Sequence, residues 1–208
     1  MNDDRQFAPA TQRNREPILE VLQRILPSTG TILEIASGTG EHAVFFAPRL
    51  SGRKWLPTDI HYLSLASISA WIKYSPSDNI YPPILLDVCD RIWSVEQEKQ
   101  FTAEITAIVS INMIHIAPWA ACLGLMAGAG RILPQNGILY LYGPFKQNGQ
   151  HTAPSNAAFD EMLKSQNPEW GVRDLEEVIA VAKMQNLHWR ETVSMPANNL
   201  SVIFEKLE

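Results

Sequence analysis

The sequence predicts an open α/β fold with a mostly parallel β-sheet, helices on both faces and an antiparallel hairpin at its C-terminal end. Short apolar runs alternate with helical patterns through most of the chain, as they do in parallel sheets with crossover helices. The first run, Thr31–Ala36, leads into the turn Ser-Gly-Thr-Gly. Near the C-terminus only Pro-Ala-Asn-Asn separates two strand-like runs. Such a short loop joins antiparallel strands and cannot form a parallel crossover.

The alternating part is predicted to contain five short apolar strands, Thr31–Ala36, Lys54–Thr58, Ile84–Leu86, Ile105–Ile111 and Ile138–Tyr142. Apolar residues at helical spacing predict helices over Thr11–Ile25, Glu41–Ala47, His61–Tyr74 and Pro118–Leu133. Pro17 is expected to mark the true start of the first helix, and the residues up to about Ala10 to be loosely docked. In the helix over His61–Tyr74, Leu63 is expected to face the core together with Leu65, Ile68 and Ile72.

The last third of the chain is predicted to add two helices and the closing hairpin. The helices cover Ser155–Ser165 and Asp174–Asn186, with Ser155 and Asp174 as capping residues. The hairpin strands are Trp189–Met195 and Leu200–Glu205. We interpret residues 1–208 as a single domain, in which residues 1–27 form an N-terminal cap segment and helix.

Composition narrows the classes of function. The 208 residues are 46% hydrophobic and 19% charged, with a net charge of −5, so a clustered basic face for nucleic acid is not expected. The polar N-terminus and the lack of a long apolar run predict neither a secretion signal nor a membrane span. Cys89 and Cys122 lack metal-ligand spacing, which predicts a cytoplasmic protein without a metal. We expect a monomer or a homodimer.

The segment Ile32–Ala43, ILEIASGTGEHA, is the strongest motif. Its glycines, Gly38 and Gly40, allow positive φ and a close approach of the backbone to a ligand, and the following helix N-terminus suits polar or anionic groups. Ala36, Gly38, Gly40 and Ala43 also satisfy a loose dinucleotide pattern. The glycine pattern alone therefore fits both a nicotinamide or flavin enzyme and an enzyme that uses S-adenosylmethionine (SAM).

Three acids favour SAM. Glu34 lies in the first strand, where a carboxylate can face the ammonium and sulfonium of SAM but offers a pyrophosphate nothing. Asp59 closes the second strand and can accept the ribose hydroxyls, as it also would in an NAD enzyme, and Asp87 closes the third strand near the adenine. Structural alternatives are a helix cap for Asp59, a turn for Asp87 and a basic partner for Glu34. The predicted cofactor residues are Glu34, Ala36, Gly38, Gly40, Asp59, Ile60, Asp87, Val88 and Asn112.

Chemistry is expected above the carboxyl ends of the fourth and fifth strands. Asn112 could orient the cofactor or acceptor, and His115 could act as a base near neutral pH or be a structural histidine. Tyr142 is the third predicted catalytic residue, and the loop Gln147–Pro154 is a candidate lid. The predicted substrate-pocket residues are Arg13, Asn14, Trp119, Phe145 and Asn156.

Seven segments carry a resemblance to a known family: Ala8–Leu19, Ile32–Ala47, Trp55–His61, Asn112–Trp119, Leu139–Phe145, the pair Ser155–Asp160 with Pro168–Asp174, and Met195–Lys206. They resemble the methyltransferase-like 26 group, formerly a family of unknown function. The resemblance implies the Rossmann-like, seven-stranded class I methyltransferase fold and SAM binding, with S-adenosylhomocysteine (SAH) as product. It implies no substrate. Ala36 departs from the family pattern, which has glycine at the first position of the turn.

The sequence therefore predicts a SAM-dependent methyltransferase that acts by in-line transfer on an unidentified acceptor, more readily a small molecule than a protein. One alternative is an NAD(P)-dependent Rossmann oxidoreductase, which the dinucleotide pattern and Asp59 would fit. Another is a non-catalytic SAM-binding interaction protein, because no Asn-Pro-Pro-aromatic run follows the fourth strand.

Overall fold

The computed structural model describes residues 3–98 and 104–207. The strands are β1 (Gly30–Ile35), β2 (Arg53–Asp59), β3 (Ile84–Leu85), β4 (Ile105–Ile111), β5 (Ile138–Gly143), β6 (Lys146–Gln147), β7 (Gln150–His151), β8 (Leu187–Met195) and β9 (Asn199–Lys206). The α-helices are α1 (Pro9–Ile25), α2 (Glu41–Phe46), α3 (Tyr62–Tyr74), α4 (Ser94–Gln97), α5 (Trp119–Ile132), α6 (Pro154–Gln166) and α7 (Leu175–Lys183). Short 3₁₀ helices cover Ala47–Arg49, Met113–His115 and Pro196–Asn198.

Seven of these strands form one sheet in the order β3-β2-β1-β4-β5-β9-β8, and β6 pairs with β7. The pairs β1–β2, β1–β4 and β2–β3 are parallel, whereas β9 pairs antiparallel with both β5 and β8. Helices pack around the sheet. The predicted α/β architecture, a mostly parallel sheet that ends in an antiparallel hairpin, is confirmed.

The chain divides into two compact units. The first comprises the described residues of Met1–Asp87 and Ile92–Ser110, and it contains β1 to β3 and α1 to α4. Strands β1 and β2 are buried over most of their length, because their apolar side chains are covered on both faces. Asp59 lies at the carboxyl end of β2, and the parallel register aligns Glu34 of β1 with Pro57 of β2.

Helix α1 begins at Pro9 and continues through Pro17, so the prediction that Pro17 starts the helix was wrong. A proline inside a helix removes one hydrogen bond and costs about 3 kcal/mol. Buried residues on both sides of Pro17, among them Thr11 and Ile18, keep the helix continuous, because tertiary packing of one face outweighs local propensity.

Helix α3 buries Ser67 and Ile68. Leu63 is 76% exposed, so the prediction that it faces the core was wrong. Leu63 lies in the first turn of the helix, next to the equally exposed Tyr62. The helical spacing of apolar residues therefore overstates how far the buried face extends toward the start of this helix.

The second unit comprises the described residues of Val88–Arg91 and Ile111–Glu208, with β5 to β9 and α5 to α7. Helix α6 starts at Pro154 with Ala153 as its N-cap, so Ser155 is not the cap that was predicted, because proline fits the first helical position. Asp174 does cap α7, since its side chain accepts a hydrogen bond from the amide of Glu176.

The closing hairpin is longer than predicted, because β8 begins at Leu187 and β9 extends from Asn199 to Lys206. The loop interpreted as a lid contains the small β6–β7 hairpin. Its tip is tied to the start of α7, as the Gly149 amide donates to Asp174 at 2.6 Å and the Asn148 amide to Glu176 at 3.0 Å.

Within the described ranges, none of the helices combines the length and apolar character that crossing a bilayer requires. Cys89 is exposed and Cys122 is buried, and neither is joined in a disulfide. No group of three or more His, Cys, Asp or Glu side chains in the described part of the chain is placed to hold a metal ion.

Candidate functional site

The turn after β1 has an unusual backbone. Ala36, Gly38 and Gly40 all have positive φ, at 56°, 57° and 90°. A β-carbon on Gly40 would lie 2.7 Å from the Cα atom of Ile68 in α3, whereas one on Gly38 would meet nothing within 4 Å. Gly40 therefore lets the turn pack tightly on α3, and the space beside Gly38 is open.

Asp59 closes this turn from the end of β2. One carboxylate oxygen accepts the Gly38 amide at 2.9 Å and the other accepts the His61 amide at 2.9 Å. The residue is only 4% exposed. The adjacent Ser37 amide donates to the Thr58 carbonyl at 2.8 Å. Asp59 thus holds the glycine turn and the start of α3 in a fixed arrangement.

Glu34 is 2% exposed and accepts a hydrogen bond from the indole nitrogen of Trp55 at 3.0 Å. Burial raises the pKa of its carboxyl group from 4.5 to about 7, and the Trp55 hydrogen bond offsets only part of that effect. The nearby Asp59 carboxylate raises it further. This partner is an indole, not the basic side chain weighed in the structural alternative.

The third acid follows β3. The Leu86 amide donates to the Asp59 carbonyl at 3.1 Å, so the chain just before Asp87 lies beside the end of β2. Asp87 is half-buried, and Ile60, which follows Asp59, is 46% exposed. The structure therefore brings Glu34, Asp59 and Asp87 to the carboxyl ends of three neighbouring strands, as predicted from the spacing.

In the second unit, the residues that follow β4 and β5 meet. Asn112 adopts a left-handed conformation with φ of 61°, and its amide donates to the Tyr142 carbonyl at 2.8 Å. A β-carbon on Gly143 would lie 2.5 Å from Nε2 of His115 and 3.1 Å from Oδ1 of Asn112. The glycine after Tyr142 is therefore required for this close packing.

His115 is completely buried. Its ring packs edge-on against Phe145 with centroids 4.9 Å apart, and its Nδ1 accepts the Arg173 amide at 3.3 Å. Nε2 is buried without a hydrogen-bond partner among residues 3–98 and 104–207. Burial, and then the charge of Arg173, lower the pKa of this imidazole to about 3. His115 is thus neutral at physiological pH.

Arg173 ties the segment after β4 to the chain before α7. Its guanidinium donates to the carbonyls of Ile114 at 2.8 Å, Ala117 at 2.6 Å and Glu169 at 2.8 Å. It also lies 5.6 Å from the ring centroid of Trp119. From the sequence, Arg173 could form a lock beside the site together with Trp170 and Asp174, although a structural role is the favoured interpretation and Arg173 is not among the predicted site residues. Arginine has the planar, many-donor group that can satisfy three carbonyls at once.

The remaining predicted residues are spread over both units. Phe145 and Val88 are buried, and Trp119 is half-buried. Asn156 is 4% exposed and donates to Thr152 and to the Asn198 carbonyl. Arg13 is exposed on α1. The buried Asn14 bonds to Nε2 of His42 at 2.8 Å.

Sequence reasoning missed four residues that hold the glycine turn: Ser37, Trp55, Thr58 and Ser67. Serine, threonine and tryptophan at these positions are ordinary in strands and helices, so nothing in the one-dimensional pattern marks them. Their contacts join residues that are 21 to 28 positions apart.

A family model described as "Protein of unknown function (DUF938)" matches residues 5–206. The chain belongs to the DUF938 family. The match covers nearly the whole sequence, including both units, the glycine turn and the terminal hairpin.

Solved methyltransferases share the fold of this DUF938 protein. Human N-acetylserotonin methyltransferase in complex with SAM aligns with a TM-score of 0.77 and 11% identity, over 96% of this chain and 53% of the other. An O-methyltransferase family 2 protein from Planctomyces limnophilus in complex with apigenin aligns with a TM-score of 0.75 and 17% identity, over 95% and 58%. This chain spans little more than half the length of these two proteins.

A complex of the Haloferax volcanii Trm112 methyltransferase activator with a methyltransferase also matches, with a TM-score of 0.72, 13% identity and coverage of 95% of this chain and 92% of the other. These likenesses confirm the predicted fold class, the Rossmann-like, seven-stranded class I methyltransferase fold. Because the sequence identities are only 11–17%, these likenesses show the fold of this chain and do not establish a reaction.

Proposed function

We propose that this DUF938 protein is a SAM-dependent methyltransferase of the methyltransferase-like 26 group, which transfers a methyl group in line to a small-molecule acceptor in the cytoplasm. The observation that carries the proposal is the glycine turn whose open Gly38 backbone is held by Asp59. The structural neighbours support the cofactor, because one of them is a complex with SAM.

The residues of the first unit fit SAM. The turn formed by Ala36, Gly38 and Gly40 leaves room for a ligand at Gly38, and the Asp59 carboxylate contacts the turn at that residue. Asp59 has further lone pairs for the ribose hydroxyls beyond the two amides that it accepts. Asp87 would contact the adenine, with Ile60 beside the ribose, and an adenine contact for Val88, the first residue of the second unit, stays a prediction. Glu34 would act through its field, since its side chain is buried against Trp55.

The residues that follow β4 and β5 would hold the acceptor. SAM, when bound, supplies an activated methyl group on its sulfonium. The protein then has mainly to align the acceptor atom with that methyl group. We assign this role to Asn112 and Tyr142, with Trp119, Phe145 and Asn156 of the same unit as candidate pocket residues. A pocket role for Arg13 and Asn14 stays a prediction. A base role for His115 stays a prediction. Its burial and low pKa favour a neutral residue that positions the segment after β4.

The small-molecule acceptor is supported by neighbours that are an N-acetylserotonin methyltransferase and an O-methyltransferase in complex with apigenin. A protein partner of the activator kind, as in the Haloferax volcanii complex, is a separate possibility that co-purification would reveal. The dinucleotide alternative is less well supported, because a pyrophosphate gains nothing from the buried Glu34 carboxyl group.

Isothermal titration with SAM and SAH tests the proposal. We expect both ligands to bind the wild-type protein. Asp59→Ala should weaken SAH binding by about 100-fold or more, as expected for the loss of two charge-assisted hydrogen bonds to the ribose hydroxyls. Asp78→Asn is the matched control, because Asp78 is an exposed acid in the same unit. Thermal melts of each variant separate a loss of binding from a loss of folding.

No binding of either ligand at high micromolar concentration would refute the proposal, and fluorescence enhancement of NADH on mixing would favour the oxidoreductase. A protein that binds SAH but transfers no methyl group to any compound of a metabolite mixture, followed by mass spectrometry, would instead be a SAM-binding interaction protein.

A further inference from the structure

Thr39, at the centre of the glycine turn, is held from two sides. Its carbonyl accepts a hydrogen bond from the Ser67 hydroxyl of α3 at 2.7 Å. Its own hydroxyl donates to Oε2 of Glu41, the first residue of α2, at 3.0 Å. The close packing of Gly40 on Ile68 brings the turn within reach of α3. Two side chains outside the turn therefore fix the conformation of its central residue.

The same two side chains also receive the N-terminal segment, residues 5–8. The Gln6 amide donates to the Ser67 hydroxyl oxygen at 2.8 Å, and the Ala8 amide donates to Oε2 of Glu41 at 2.6 Å. Ser67 is fully buried and Glu41 is 7% exposed. Each residue is thus a bridge between the N-terminal segment and Thr39.

Each bridge makes both of its contacts through a single oxygen atom. The single Ser67 hydroxyl proton goes to the Thr39 carbonyl, which leaves the oxygen as acceptor for the Gln6 amide. Oε2 of Glu41 accepts from both the Ala8 amide and the Thr39 hydroxyl. When residues 5–8 undock, Ser67 loses the Gln6 amide and Glu41 loses the Ala8 amide. Both side chains are then less restrained in their contacts with Thr39.

The segment lies on the surface. The Trp71 indole donates to the Gln6 carbonyl at 2.9 Å, and Phe7 packs edge-on against Trp71 with centroids 5.2 Å apart. The Arg5 guanidinium lies 3.7 Å from the ring centroid of Tyr74. Phe7 nevertheless remains 62% exposed. Undocking therefore breaks a few local contacts and does not open the core of the unit.

From these contacts we infer that Ser67 and Glu41 are positioning residues that couple docking of residues 5–8 to the conformation of the cofactor turn. The inference rests on the proposed function, because it takes the turn to be the SAM site. Coupling between two equilibria is reciprocal. A ligand on the turn therefore stabilises the docked segment, and the docked segment raises the affinity of the turn for the ligand.

The test uses SAH with the full chain and two measurements, affinity by titration calorimetry and amide hydrogen exchange of Gln6 and Ala8 by NMR. In the wild-type protein, saturating SAH should slow exchange at both amides. Ser67→Ala should weaken SAH binding by about five- to tenfold, which corresponds to one or two lost hydrogen bonds. It should also speed exchange at Gln6 and reduce the protection that SAH gives there.

Ser69→Ala is the matched control, since Ser69 is an exposed serine of the same helix whose hydroxyl bonds only to the Leu65 carbonyl within the helix. Glu41→Ala, with the exposed Glu20→Ala as its control, tests the second bridge should the serine variant not fold. Ser67→Thr keeps the hydroxyl and should restore part of the SAH affinity.

Two results would overturn the inference while leaving the proposed function intact. One is wild-type SAH binding without any change in exchange at Gln6 and Ala8. The other is folded variants at Ser67 and Glu41 that bind SAH as tightly as their controls. Failure of the wild-type protein to bind SAH at all would remove the proposed function and this coupling together.

Discussion

Replacement of Glu34 by glutamine tests the electrostatics of the site without a ligand. The Glu34 carboxyl group is buried, and its pKa rises from 4.5 to about 7, mainly through loss of hydration. Glutamine has nearly the same shape and can still accept the Trp55 indole hydrogen bond. The substitution therefore removes the ionisation while the packing and the indole contact are kept.

The expected change in the free energy of unfolding follows from the linkage between proton binding and folding. Between pH 4.5 and about 7 the unfolded chain loses the Glu34 proton before the folded protein does, so the folded state binds more protons and the free energy of unfolding falls as the pH rises. At 1.4 kcal/mol per unit of pKa, the ionised carboxylate destabilises the folded protein by about 3 kcal/mol above pH 7. The loss is absent below pH 4.5, where both states carry the proton.

Urea unfolding followed by circular dichroism, at several pH values between about 4.5 and 8, measures this effect. We expect Glu34→Gln to gain about 3 kcal/mol relative to the wild-type protein across this range. Glu20→Gln, an exposed glutamate on α1, serves as the control and should show no comparable trend. A stability difference between Glu34→Gln and wild type that does not change with pH would refute the reasoning, because it would mean that Glu34 titrates at its ordinary pKa.

Two further predictions concern backbone strain and the arginine bridge. Ala36→Gly should stabilise the protein by up to about 1 kcal/mol in thermal unfolding, because alanine at a φ of 56° is strained and glycine is not. Ala66→Gly, in α3, should instead destabilise the protein by about 1 kcal/mol. If both substitutions changed the stability in the same direction, Ala36 would not be strained. Arg173→Ala should lower the free energy of unfolding by about 2–4 kcal/mol, because it leaves three carbonyls without this donor. Arg173→Lys should recover only a part of that stability. Arg190→Ala, which removes a 3.8 Å surface ion pair, should change the free energy of unfolding by less than about 1 kcal/mol. Equal effects at Arg173 and Arg190 would show that the carbonyl contacts contribute nothing.

The parts of the fold that local sequence determines were predictable. Each of the five predicted strands of the alternating part is an apolar run bounded by turn residues, and the observed strands differ from the predicted ones by at most one residue at either end. The course of α1 through Pro17 and the exposure of Leu63 were not predictable. Both depend on which neighbouring elements cover a helix face, and periodicity describes only the helix itself.

The candidate site also combines features that the sequence predicts with features that it does not. The placement of Glu34, Asp59 and Asp87 at successive strand ends followed from parallel topology alone, because parallel strands carry their carboxyl ends to one edge. The burial and the neutral form of His115 could not be predicted from the topology. His115 is buried, and it accepts a hydrogen bond from the amide of Arg173, which lies 58 positions away in the chain. A contact between residues so far apart cannot be predicted from residue spacing.

Two features in and next to the glycine turn oppose stability, and both agree with the proposed ligand site. Ala36 is held at a φ that favours glycine, and Glu34 is buried so that its ionised form is unfavourable. Unfavourable features of this kind persist where the surrounding structure enforces them, and they concentrate at functional sites. Here Asp59 and Ser67 supply that enforcement through hydrogen bonds to Gly38 and Thr39. A cation bound beside Glu34 would favour its ionised form, so ligand binding would recover free energy that folding alone loses.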